Sequence, residues 1–134
     1  MHARFSQYND DDANVEAQFD IAMQDGIPVV HIKGDLDHAN TPHFRSIISD
    51  LINKGYKRMI LEMSGVTFMD SGGMSGVIFA AKQLHSLGGH LSLSNCNSRI
   101  TRKLDIGGLS KLTSILTIHS SIEQAIDYMQ KLHS

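Results

Sequence analysis

The chain has no tryptophan, one cysteine and two prolines in 134 residues. A lone cysteine, Cys96, cannot close an internal disulfide, which fits a reducing compartment. No apolar run approaches the roughly 20 residues that a membrane-spanning helix needs. The opening stretch "MHARFSQYNDDDANVEAQFD" lacks the apolar centre of a secretory signal. A soluble, cytoplasmic protein without membrane insertion is therefore expected. Neither charge dominates, with twelve Lys and Arg against fourteen Asp and Glu, so there is no basic stripe of the kind that binds nucleic acid.

What is present is enough for one hydrophobic core, and no metal or disulfide staple is required at this length. The charge is unevenly placed. Residues 1–20 hold five acids (Asp10, Asp11, Asp12, Glu16, Asp20) against Arg4, while the remainder holds eleven bases and nine acids. Residues 1–17 therefore read as an acidic, flexible arm, and residues 18–134 as the folded domain.

Within the domain, Phe19, Ile21 and Met23 alternate as in a strand and end at Asp25-Gly26. "IPVVHIKG" follows as its hairpin partner. Thr41 and Pro42 suit a helix start and Gly55 its end, with Phe44, Ile47, Ile48, Leu51 and Ile52 forming one face. "RMILEMSG" is dense enough to be a central strand. A second helix carries Met74, Val77, Ile78, Ala81 and Leu84 on one side and stops at Gly88-Gly89. "HLSLSNC" reads as a strand, and "SRITRKLDIGG" as a short basic helix with Ser98 at its cap. "TSILTIH" is a last strand, and "SSIEQAIDYMQKLH" a last helix capped by Ser120 or Ser121. The order β-β-α-β-α-β-α-β-α gives an α/β fold: a mixed, mostly parallel sheet of about five strands, about four helices, and the first hairpin at the sheet edge.

The loop "FMDSGGMSG" (68–76) carries the most chemistry. It lies between the carboxyl end of a central strand and a helix N-terminus, where ligands gather in open α/β sheets. Asp70 or Ser71 can cap the helix. A nucleophilic Ser71 is suggested by "DSGG", which also surrounds the serine of trypsin-like proteases, but those are all-β. Neither Ser71 nor Ser75 fits the G-x-S-x-G elbow, and nothing fixes His31 or His38 as its base. A third reading is a phosphate switch. A helix N-terminus tolerates a phosphoserine, and Gly72 and Gly73 would let a kinase backbone approach. The added charge of about −1.5 to −2 would stand beside Asp70 and close to Asp37. One unit pair at about 5 Å and an effective dielectric of about 20 costs about 3 kcal/mol, so an acidic partner would be lost.

Three segments together resemble the STAS domain, which sulfate transporters share with bacterial anti-sigma factor antagonists. They are "IKGDLDHANTPHFRSII", "VTFMDSGGMSGVIFAAKQLHSLGGHLSLSN" and "RITRKLDIGGLSKLTSIL", and the resemblance runs from about Phe19 to Met129. It implies a non-enzymatic partner switch in which Ser71 is the phosphate acceptor. Asp37, Asp70, Gly72, Gly73, Met74 and Ser75 would form the switch loop and partner face. The unphosphorylated form would bind a serine kinase that is also an anti-sigma factor, of the histidine-kinase-like ATPase fold; a PP2C-type phosphatase would reset it. Many members have Ser or Thr where this chain has Gly72, which leaves Ser71 the sole hydroxyl of the loop before Ser75.

Rival readings come from other classes. The chain could be a scaffold or subunit of a larger assembly that undergoes no phosphorylation, or a domain binding a nucleotide or lipid in the crevice, although no glycine-rich phosphate loop is present. The eight histidines show no metal-ligand spacing, so neither metal nor cofactor is expected. Cys96 reads as a small buried residue. Arg99, Arg102 and Lys103 make either a solvated face or a rim for an acidic partner.

Overall fold

The computed structural model describes residues 17–108 and 111–132. The expected acidic arm lies, but for Ala17, outside the described residues. The elements in order are β1 (Gln18–Gln24), β2 (Ile27–Leu36), α1 (Thr41–Asn53), β3 (Arg58–Met69), α2 (Ser71–Ser86), β4 (His90–Ser94), α3 (Ser98–Ile106), β5 (Leu116–His119) and α4 (Ile122–Leu132).

The strands form one sheet in the order β1-β2-β3-β4-β5. β1 runs antiparallel to β2, and every later pair is parallel. The hairpin closes through Asp25 and Gly26 at φ 53° and 78°, the left-handed pair that a two-residue hairpin turn demands. Phe19 of β1 packs on His43 and Phe44 of α1. Ile21 and Met23, expected on the same inward face, remain 47% and 48% exposed at the sheet edge.

Helices α1, α2 and α3 cover one face, where Phe44, Ile48, Leu61, Val77, Leu84, Leu91 and Leu104 belong to one continuous core. α4 covers the other through Ala125, Ile126 and Met129 against Ile27, Val29 and Ile60. Each such side chain contributes about 1.5–3 kcal/mol by leaving water.

Several boundaries differ from expectation, each for a local reason. β3 runs on to Met69 because Val66 and Met69 stay buried beneath the helices. α1 is preceded by Asn40 rather than Thr41, and α3 by Asn97 rather than Ser98; Asn97 Oδ1 accepts from Ile100 N at 2.9 Å. For α4, Ser121 Oγ accepts from Gln124 N at 3.1 Å. β5 is shorter than expected, because residues 111–115 form a tight turn that precedes it. The serines of "HLSLS" are as buried as its leucines, since α4 closes the side they face.

Candidate functional site

β2 and β3 end side by side, Leu36 pairing with Met69. The turn after β2 and the loop after β3 therefore meet at one end of the sheet. Asp70 holds them together. Its backbone is extended at φ −99°, ψ −174°, as an N-cap requires. Its Oδ1 accepts from Gly73 N at 2.9 Å and its Oδ2 from His38 N at 3.2 Å. Asp70 N in turn donates to Leu36 O. The hydrogen bond from Gly73 N holds the carboxyl below its ordinary value against the opposing effect of burial, with further help from those of His38 and Gly72.

The cap left open between Asp70 and Ser71 thus belongs to Asp70. Ser71 is the first residue of α2 and is exposed. Among the described residues its hydroxyl has no hydrogen-bond partner. Ser75, one turn on, is exposed too, and Met74 between them is half-buried.

The glycines serve a different purpose from the one expected. A Cβ on Gly73 would stand 2.0 Å from Leu36 O, and one on Gly72 would stand 2.7 Å from His38 Cα. The room beside them is filled by the chain's own β2 end and turn, not left for another backbone. Thr41 Oγ1 completes the seam, 2.8 Å from Asp37 O and 3.0 Å from Gly72 O, with one proton to share between them.

Asp37 lies in that turn, half-buried. Its Oδ1 accepts from Asn40 N at 3.1 Å, and Asn40 Oδ1 accepts from Asp37 N at 3.0 Å. Asp35 accepts from Thr67 Oγ1 on β3. The structure therefore brings Asp37 in the turn after β2 beside Asp70 and the start of α2, where Ser71, Gly72, Gly73 and Met74 make the first helical turn and Ser75 follows. From α3, Lys103 Nζ donates to Met69 O at 2.7 Å and lies 5.0 Å from the Phe68 ring. Part of the basic helix thus reaches the same end of the sheet.

Two polar features escaped sequence reasoning. Glu62, mid-β3 and only 8% exposed, accepts from Ser64, Ser94 and Asn95. Burial alone would raise its pKa, but these donors together lower it. Under α4, Thr117 Oγ1 lies 2.8–2.9 Å from His90 Nε2, Ser92 Oγ and His119 Nε2. The ring of Tyr128 sits over both histidines. The only sequence signal for either feature was polar residues spaced by two along β3, β4 and β5.

An open cleft of about 580 Å3 lies beside Glu62, lined in part by Ser64, Asn95, Cys96 and His119. Burial, aided by the charge of Glu62, pushes the Cys96 thiol up to about 12, so it is no nucleophile at neutral pH. Among the described residues no group of three His, Cys, Asp or Glu could hold a metal ion, and no helix is long and apolar enough to cross a membrane.

The family model for the STAS domain matches residues 18–125. The anti-sigma F factor antagonist of Paenibacillus polymyxa is 26% identical over 99 residues, which cover 73% of this chain and 85% of that protein. The anti-sigma-B factor antagonist of Bacillus subtilis is 29% identical over 96 residues, covering 72% and 87%. Among solved structures, the Bacillus cell fate determinant SpoIIAA in its phosphorylated form superposes with a TM-score of 0.64 at 26% identity, covering 83% of this chain and 98% of that one. With a five-stranded mixed sheet and the Asp-Ser loop at its carboxyl end, this chain belongs to the STAS domain family.

Proposed function

We propose that the chain is a partner-switching regulator of the anti-sigma factor antagonist kind, acting by binding and not by catalysis. Its unphosphorylated form binds a serine kinase that doubles as an anti-sigma factor, of the histidine-kinase-like ATPase fold. Phosphorylation of Ser71 releases that partner, and a PP2C-type phosphatase restores the binding form. The cycle acts in the cytoplasm.

One observation carries this reading. Asp70 caps α2, so the exposed Ser71 hydroxyl has no structural task. Support also comes from relatives named as antagonists and from a structural neighbour known in a phosphorylated form. A phosphate on Ser71 would meet the N-terminus of α2, so the domain itself accommodates it. A partner that sets an acid against the Asp37–Asp70 surface would be repelled. Gly72 and Gly73 belong to the switch loop by shaping it against β2, while Met74 and Ser75 extend its outer surface.

The rival ligand-binding reading gains less. Among the described residues no lysine or arginine lines the cleft beside Glu62, and the nearby carboxylate opposes an anionic phosphate or fatty acid.

The test is a capture experiment with wild-type, Ser71→Ala and Ser71→Asp baits, read by mass spectrometry. Wild type and Ser71→Ala should recover a serine kinase of that ATPase fold, and Ser71→Asp should lose it by at least tenfold. Equal recovery by all three baits would leave a scaffold that undergoes no switching.

A further inference from the structure

One flank of the Ser71 loop carries an apolar and basic surface that no described element covers. Ile106 is 81% exposed and Phe68 44%. Lys103 lies against Phe68 and is bonded to Met69 O, one residue from Asp70. Arg99 and Arg102 are exposed on the same helix, and Lys111 follows it. From 98 to 111 the segment holds these four cations against one acid, Asp105.

The opposite charge is concentrated in residues 1–16. They hold Asp10, Asp11, Asp12 and Glu16 against Arg4, with Phe5, Tyr8 and Val15 interspersed. The sheet determines where this segment departs. β1 is antiparallel to β2 and Gln18 lies opposite Lys33, so the chain leaves β1 at the end where β2 reaches Leu36 and β3 reaches the Ser71 loop. From β1 the ends of β3 and β4 are two and three strand spacings away, about 10 and 14 Å. At about 3.3 Å per extended residue, Asp12 reaches about 17 Å from Ala17 and Asp10 about 23 Å. Reach and charge both match the α3 surface.

We propose that residues 1–16 dock within the same molecule on the surface formed by Phe68, Lys103 and Ile106, setting Asp10–Asp12 against Arg102 and Lys103 and covering one flank of the Ser71 loop. Tethering supplies an effective concentration on the order of millimolar, so weak contacts suffice. Exposed pairs contribute only about 0.2–1 kcal/mol each and are screened by salt, so docking is salt-sensitive. The proposal requires neither a kinase nor a phosphate.

The test uses the full chain, 15N-labelled, with Cys96→Ser and a nitroxide attached at Gln7→Cys. At 50 mM salt the amides of Phe68, Lys103 and Ile106 should lose more than half their intensity. They should recover at 1 M salt, in the Asp10→Asn/Asp11→Asn/Asp12→Asn variant and in Arg102→Glu. Broadening confined to β1 and its neighbours, or unchanged in the triple variant, would overturn the proposal. Broadening that passes from labelled chains to separately 15N-labelled, nitroxide-free chains would assign the surface to a second copy instead. If Cys96→Ser does not fold, wild type and the triple variant are compared without a label. Shift differences at the three amides then support docking, and their absence rejects it.

Discussion

The two faces of the sheet are stabilised by different means. Under α1, α2 and α3 the layer is mainly apolar, with Phe44, Leu61 and Leu91 fully buried. Under α4 the apolar patch is small and gives way to His90, Ser92, Thr117, His119 and Tyr128. The first face draws its stability from area removed from water, which pH barely touches. The second depends in part on hydrogen bonds made by two histidines that burial holds in the neutral form. The Ser71 loop closes the end of the apolar layer, so a charge added there meets a foundation insensitive to protonation.

That contrast can be broken from either side. Phe44→Ala should cost about 4 kcal/mol in urea unfolding, the usual cost of a large cavity in a tight core. Between pH 6.5 and 4 acidification should act mainly on the other face. Burial, reinforced by the charges of His119 and His85, lowers the His90 pKa from 6.5 to about 4, and burial lowers His119 as well. Since the folded state favours the neutral rings, their contribution is complete above pH 6.5 and is lost as pH falls toward 4. The loss from His90 is about 3 kcal/mol at most, and His90→Gln should flatten the profile over that range. Thr117→Val removes the oxygen shared by three side chains and should cost about 2 kcal/mol. The pH dependence between 6.5 and 4 should persist in this variant, because burial and not Thr117 keeps the rings neutral.

Smaller effects belong to the site. Asp70→Ala removes a cap and should cost about 1 kcal/mol. Because the folded carboxyl is held below 3.8, its contribution is present above that value and fades at lower pH, separate from most of the histidine range. Ser71→Ala should change stability by less than about 0.5 kcal/mol, as expected for an exposed hydroxyl without a partner. A larger loss would mean that Ser71 does structural work after all.

Much of this architecture was legible in the sequence because the helices and parallel strands follow simple periods. Phe44, Ile48 and Leu51 on α1, and Val77, Ala81 and Leu84 on α2, are buried as their spacing predicts. The caps were harder, since Asn40 stands next to Thr41 before α1 and Asn97 next to Ser98 before α3, and each can serve. Only the tertiary partners of Thr41 and Asn97 decide between them. Serines 92 and 94 resembled a solvent face because nothing local announces that α4 will cover them. In the sequence Gly72 and Gly73 read as room for a partner's backbone, whereas the chain's own atoms occupy that space. Their small size answers to Leu36 and His38, more than thirty residues earlier in the chain.

The seam that joins Leu36, His38 and Thr41 to Asp70, Gly72 and Gly73 has a consequence for recognition. The two turns share a carboxylate and a threonine hydroxyl, so a displacement of one is transmitted to the other. Under the proposed switch, a binding protein that touches only residues 37–40 would still register a phosphate on Ser71. The residue that carries the signal and the residues that are read would then differ, and partners with unlike footprints could obey the same mark.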